Sequence, residues 1–113
     1  GHIVDIRGGY EADLLSDFVA SFEDEDAYGI SHIGWGLNEK ARWSSLLADP
    51  RSYGMEARAF YGNVLFSTGP NSEFGGTNFS ACHLDIPMHG CSLFLDDEQI
   101  VCDGDVVIDD MKA

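Results

Sequence analysis

Three side chains of this sequence have the types and spacing to hold one divalent metal ion. His83-Leu84-Asp85 sets an imidazole and a carboxylate two positions apart, and His32 lies upstream in Ser31-His32-Ile33-Gly34-Trp35-Gly36. Two imidazoles and one carboxylate bind an ion on one face and leave the opposite positions open, the arrangement of non-haem Fe(II) oxygenases. If His83 and Asp85 lie in a strand, positions i and i+2 point to the same side, and His32 needs only to arrive from a neighbouring element. The pattern alone is weak. A His and an Asp two apart occur often by chance, and a lone His among glycines and apolar residues is commonly a core residue.

Other chemistry finds less support. His2 opens the chain and carries no evident role, and His89, beyond Pro87, reads as a surface or supporting residue. The loop Gly69–Asn78 has three glycines and a proline, but it lacks the Lys and the following helix of a phosphate-binding loop. No Gly-x-Ser-x-Gly occurs, and no Cys–His spacing points to a nucleophile.

The elements that must position the three ligands read as α+β, two helices followed by a strand-rich half. His2–Arg7 alternates as a short strand stopped by Gly8-Gly9. Tyr10–Phe22 is the clearest helix, with Leu14, Leu15, Phe18, Val19 and Phe22 on one face and Glu11 and Asp13 in the first turn. Ile30–Gly36 reads as a buried strand carrying His32. Asn38 caps a second helix over Glu39–Leu47, which closes before Asp49-Pro50. From Ala57 the pattern is extended: Asn63–Thr68 is a strand, and Ala81–Ile86 is another, carrying His83 and Asp85 and ended by Pro87. Leu93–Leu95 and Gln99–Cys102 flank an acidic turn as a hairpin, and Val106–Ile108 is the last strand.

At 113 residues the chain makes one domain at most, and its abrupt start on a strand pattern reads like the middle of a larger protein. A net charge of −14, from 20 acidic and 6 basic residues, argues against nucleic acid and anionic membranes as partners, since both select basic surfaces. The three cysteines, Cys82, Cys91 and Cys102, are odd in number and lack a CxxC spacing, which fits reduced thiols in a cytoplasmic protein. No apolar run reaches the ~20 residues of a membrane span.

Several segments together resemble a known superfamily. His32-Ile33-Gly34-Trp35-Gly36-Leu37-Asn38, then Gly62-Asn63-Val64-Leu65-Phe66-Ser67-Thr68-Gly69, then Ser80-Ala81-Cys82-His83-Leu84-Asp85 follow the order of the C-terminal part of aminopeptidase T-like (M29) metallopeptidases. Those peptidases carry a Glu at the place of His32 and a metal-binding His at the place of Leu65, and they share the His-x-Asp pair. A two-metal peptidase site does not survive both exchanges. The chain in this respect is similar to the 2,5-dihydroxypyridine 5,6-dioxygenase family, as is the run from Glu56 to Asn71. The resemblance implies the C-terminal metal-binding part of an M29-like fold, and Fe(II) held by His32, His83 and Asp85. It also implies a small aromatic substrate cleaved with O2 in nicotinate or nicotine degradation, and a homo-oligomer. Ser67, two positions from Leu65 on the same strand face, is the expected substrate contact, with Thr68 beside it; Trp35 is a candidate wall. The general acid/base is expected upstream of this chain. The alternatives are an M29-type metallo-aminopeptidase and a non-catalytic fragment of either.

Overall fold

The computed structural model describes residues 1–45 and 54–112. Among them α1 spans Tyr10–Ala20 and α2 spans Met55–Ala59. The strands are β1 (Ile30–Trp35), β2 (Val64–Thr68), β3 (Leu84–Met88), β4 (Leu93–Leu95), β5 (Glu98–Cys102) and β6 (Asp105–Val106). They form two three-stranded sheets, ordered β1-β2-β3 and β4-β5-β6. Gly69 N–H donates to Gly29 O beyond one end of the β1–β2 pair, and Gly36 N–H donates to Asn63 O beyond the other. The residue numbers run in opposite senses, so β1 and β2 are antiparallel. The chain gathers into two compact units, one of Gly1–His32 with Ser67–Asp85 and one of Ile33–Phe66 with Ile86–Ala113.

In the first unit the buried centre is Val19, Ala27 and Cys82, with Leu15, Phe22 and Tyr28 packed against it. Glu11 and Asp13 stand in the first turn of α1, where they complement its dipole. Asp24 accepts the Asp26 N–H at 3.0 Å and opens a short 3₁₀ turn, Glu25–Tyr28, that seats Ala27 and leads into β1. In the second unit Val64, Ile100 and Val101 form the buried centre, covered by Trp35, Met88, Cys91, Leu93, Ile108 and Met111. β4 and β5 turn through Asp96-Asp97, with Leu95 opposite Glu98. β5 and β6 turn through Asp103-Gly104, with Cys102 opposite Asp105. Both residues of this second turn have positive φ, 48° and 91°, as a type I′ hairpin requires and as Asp-Gly supplies at low cost.

Several expectations need correction. His2–Arg7 is no strand: among the described residues a single bridge pairs His2 with Gly29, and Val4 is almost fully exposed. α1 ends at Ala20, and of the expected apolar face Leu14 and Phe18 stay exposed. Of the expected helix, residues 39–40 and 43–44 are turns, residues 41–42 have no regular structure, residue 45 is helical, and residues 46 and 47 lie outside the described residues. A helix also stands at α2, where extended chain was expected from Ala57 onward; Gly54, at φ 73°, is its N-cap. Pro87 lies inside β3 instead of ending it. β3 is a terminal strand of its sheet, and there a missing N–H need not break a ladder bond. The last strand closes at Val106, and Asp109–Met111 is a 3₁₀ turn.

Candidate metal centre

The expected ligands share the first unit. β1 delivers His32. After the loop that follows β2, the chain returns through Cys82, and His83 comes directly before β3 while Asp85 is its second residue. The Asp85 carboxylate is the deepest group, 10% exposed. His83 Nε2 lies 3.2 Å from Asp85 Oδ1, and His32 Nε2 lies 3.9 Å from the same oxygen. The two imidazoles are 6.0 Å apart between centroids and inclined by 28°. A carboxylate so little solvated needs positive or hydrogen-bonding neighbours, and two imidazole edges converge on it.

The donor set fits one first-row divalent ion. Two donors bound to one ion at about 2.1 Å each lie about 3 Å apart when cis, so the His83–Asp85 spacing already matches, and His32 must close by about 1 Å. In line with that gap, no group of three or more His, Cys, Asp and Glu among the described residues forms a ready metal cage.

Two groups near the site went unnoticed in the sequence. The Ser31 hydroxyl lies 3.1 Å from His32 Nδ1 and donates to the Pro70 carbonyl at 2.5 Å. The Phe74 ring lies 5.2 Å from that of His32, and with Pro70, Ser72, Glu73 and His83 it lines a pocket of about 310 Å³. Neither has a local signature, because each depends on a loop some forty residues from β1. A serine next to a candidate ligand was the one available hint.

Ser67 and Thr68 end β2 fully buried, and neither hydroxyl has a hydrogen-bond partner among the described residues. Such groups are rare in a folded interior and call for a partner. Trp35 is part of the second unit's core, as packing alone explains. His89 sits between aromatic rings in that same unit, 5.6 Å from both Trp43 and Phe60. No helix among the described residues is long and apolar enough to cross a membrane.

The model of the 2,5-dihydroxypyridine 5,6-dioxygenase family matches residues 1–108. The chain belongs to the 2,5-dihydroxypyridine 5,6-dioxygenase family. A 2,5-dihydroxypyridine 5,6-dioxygenase of Pseudomonas putida KT2440 is 53% identical over 109 residues, covering 95% of this chain and 31% of the relative. The solved structure of 2,5-dihydroxypyridine dioxygenase from Pseudomonas putida KT2440 superposes with a TM-score of 0.91 at 50% identity, covering all of this chain and 33% of that one. The chain thus spans about a third of the length of the dioxygenases it matches.

Proposed function

We propose that the complete protein carrying this chain is a mononuclear Fe(II) dioxygenase that opens the ring of 2,5-dihydroxypyridine to N-formylmaleamic acid, with His32, His83 and Asp85 holding the ion. The observation that carries this reading is the convergence of two imidazole Nε2 atoms on one poorly solvated carboxylate oxygen, in a chain of this family. When bound, Fe(II) supplies a site for the ring oxygen and O2 and the electrons that activate O2. The chain's own residues do the rest of the work visible in this part of the protein. Asp85 offsets part of the ion's charge, and its burial keeps water from competing for it. Ser67 is the substrate contact in this reading, through a buried hydroxyl that has no hydrogen-bond partner among the described residues; Thr68, next along the strand and on its other face, is the weaker candidate. The pocket beside His83 and Phe74 has room for a single aromatic ring.

The same proposal covers the wider kinship with M29 peptidases, a cytoplasmic location, a homo-oligomeric state, and a small aromatic substrate in place of nucleic acid or membrane. The surplus of acidic residues supports the last point. Leu65 has no atom that can bind a metal, and this weighs against the peptidase alternative. The test is anaerobic Fe(II) loading of the complete protein followed by O2 uptake with 2,5-dihydroxypyridine. Uptake stoichiometric with substrate is expected. No uptake, together with release of amino acids from leucyl peptides, would sink the dioxygenase reading.

A further inference from the structure

His32 has two ring nitrogens, and only one faces Asp85. A neutral imidazole carries one proton, and the nitrogen without it is the one that can bind a metal. The neighbours of the other nitrogen therefore decide whether Nε2 is available. Nδ1 lies 3.1 Å from Ser31 Oγ. The Ser31 hydroxyl has a single proton, which it donates to the Pro70 carbonyl at 2.5 Å, and a carbonyl oxygen can only accept. Ser31 Oγ is left with lone pairs toward His32, so the contact is a hydrogen bond only if Nδ1 carries the proton. With the proton on Nε2 instead, two lone pairs would face each other across 3.1 Å, and the Nε2–H would reach toward an Asp85 oxygen 3.9 Å away, too far for a hydrogen bond.

The Pro70 carbonyl is itself held in place. The Asn71 side chain donates to Ile30 O at 3.1 Å and accepts the Asn78 N–H at 2.9 Å. The Asn71 carbonyl accepts the N–H groups of Phe74 and Gly76, both at 3.0 Å. This knot ties the start of the loop to the strand that carries Ser31 and His32.

We infer that Ser31 is a positioning residue: relaying from the Pro70 carbonyl, it locks His32 as the Nδ1–H tautomer and so aims the Nε2 lone pair at the metal position. The role in metal binding rests on the proposed iron site; the tautomer itself does not. Hydrogen bonds of this kind to a ligand's second nitrogen commonly contribute about 10- to 100-fold in metal affinity.

The experiment reads both on the complete protein. Metal-free protein labelled with ¹⁵N-histidine is examined by solid-state NMR at about pH 8, above the ordinary imidazole range, with His32 identified by its loss in His32→Gln. The expected spectrum shows the proton on Nδ1, and Ser31→Ala shifts the population toward Nε2–H while Ser31→Thr keeps it. Anaerobic Fe(II) titration should then show affinity about 10- to 100-fold weaker in Ser31→Ala and near wild type in Ser31→Thr. A wild-type His32 with its proton on Nε2 overturns the inference, whether or not the variants fold. So does a Ser31→Ala protein with unchanged tautomer and unchanged affinity. Wild-type protein that shows Nδ1–H but binds no Fe(II) upholds the hydrogen-bond assignment and refutes the iron site.

Discussion

Gly69 lies where β2 leaves its sheet, and replacing it with alanine should damage both the fold and the site. Its φ is 96°, a conformation that costs an L-residue about 1–2 kcal/mol. The larger effect comes from what the new methyl would meet. A Cβ at Gly69 would overlap the Cys82 carbonyl oxygen, coming 2.9 Å from the Cys82 carbonyl carbon and 3.4 Å from His83 Cα. It would fall more than about 1 Å inside the 3.0 Å limit that real Cβ contacts respect. Backbone is hard to move, so overpacking should add about 1–3 kcal/mol, for a total loss of about 2–5 kcal/mol. The displaced segment is the one that carries His83, and a shift of about 1 Å at a site commonly costs about 100-fold in activity. Gly75→Ala is the matching control. Its φ is 85°, but nothing lies within 4 Å of a Cβ there, so it should lose only the backbone cost of about 1–2 kcal/mol. Urea unfolding followed by tryptophan fluorescence gives the stabilities, and anaerobic Fe(II) titration gives the effect on the site. Equal stability losses for the two variants, or wild-type Fe(II) affinity in Gly69→Ala, would refute the reasoning.

Three further outcomes are expected. Ser67→Ala removes a buried hydroxyl that has no partner among the described residues, so stability should stay within about 0.5 kcal/mol or rise while KM for the aromatic substrate increases; an unchanged KM would remove Ser67 from substrate binding. Val101→Ala empties part of the second unit's fully buried core and should cost about 2–3 kcal/mol, read from the urea midpoint, with a loss under about 0.5 kcal/mol arguing against tight packing there. Burial pushes the Cys82 thiol above its ordinary 9.0, and Asp24 adds to the rise. The folded state therefore favours the neutral thiol: its contribution is complete below that ordinary value and is lost as pH climbs through the higher folded one. Urea midpoints should fall across that alkaline window more steeply in wild type than in Cys82→Ala; parallel profiles would count against it.

The strands that could be read from the sequence are those whose signals are local. Gly29 and Gly36 bracket β1, and the Asp-Asp and Asp-Gly pairs mark turns between apolar runs, so β1, β4 and β5 appear nearly where the pattern puts them. β2, an apolar run closed by Gly69, is equally plain. The failures arise where a distant partner decides. His2–Arg7 alternates like a strand, but among the described residues it makes a single bridge, His2 with Gly29. Pro87 looks like a stop, yet a terminal strand tolerates it. The amphipathic face of α1 is wider in sequence than the surface it covers, because its unit offers only a small buried centre around Val19. At the site, the meeting of His32, His83 and Asp85 follows from the residue types and the resemblance. The Ser31–Pro70 relay and the place of Phe74 do not, since both arise from loop closure over some forty residues.

Pro87 has a consequence beyond the length of β3. The last strand of a sheet offers a row of backbone donors and acceptors, a template on which another molecule's strand can align and begin aggregation. A proline within β3 deletes one donor from its backbone and interrupts any continuous register along that strand. The strand that holds Asp85 thus carries its own obstacle to self-association, two residues from the carboxylate on which the two imidazoles converge.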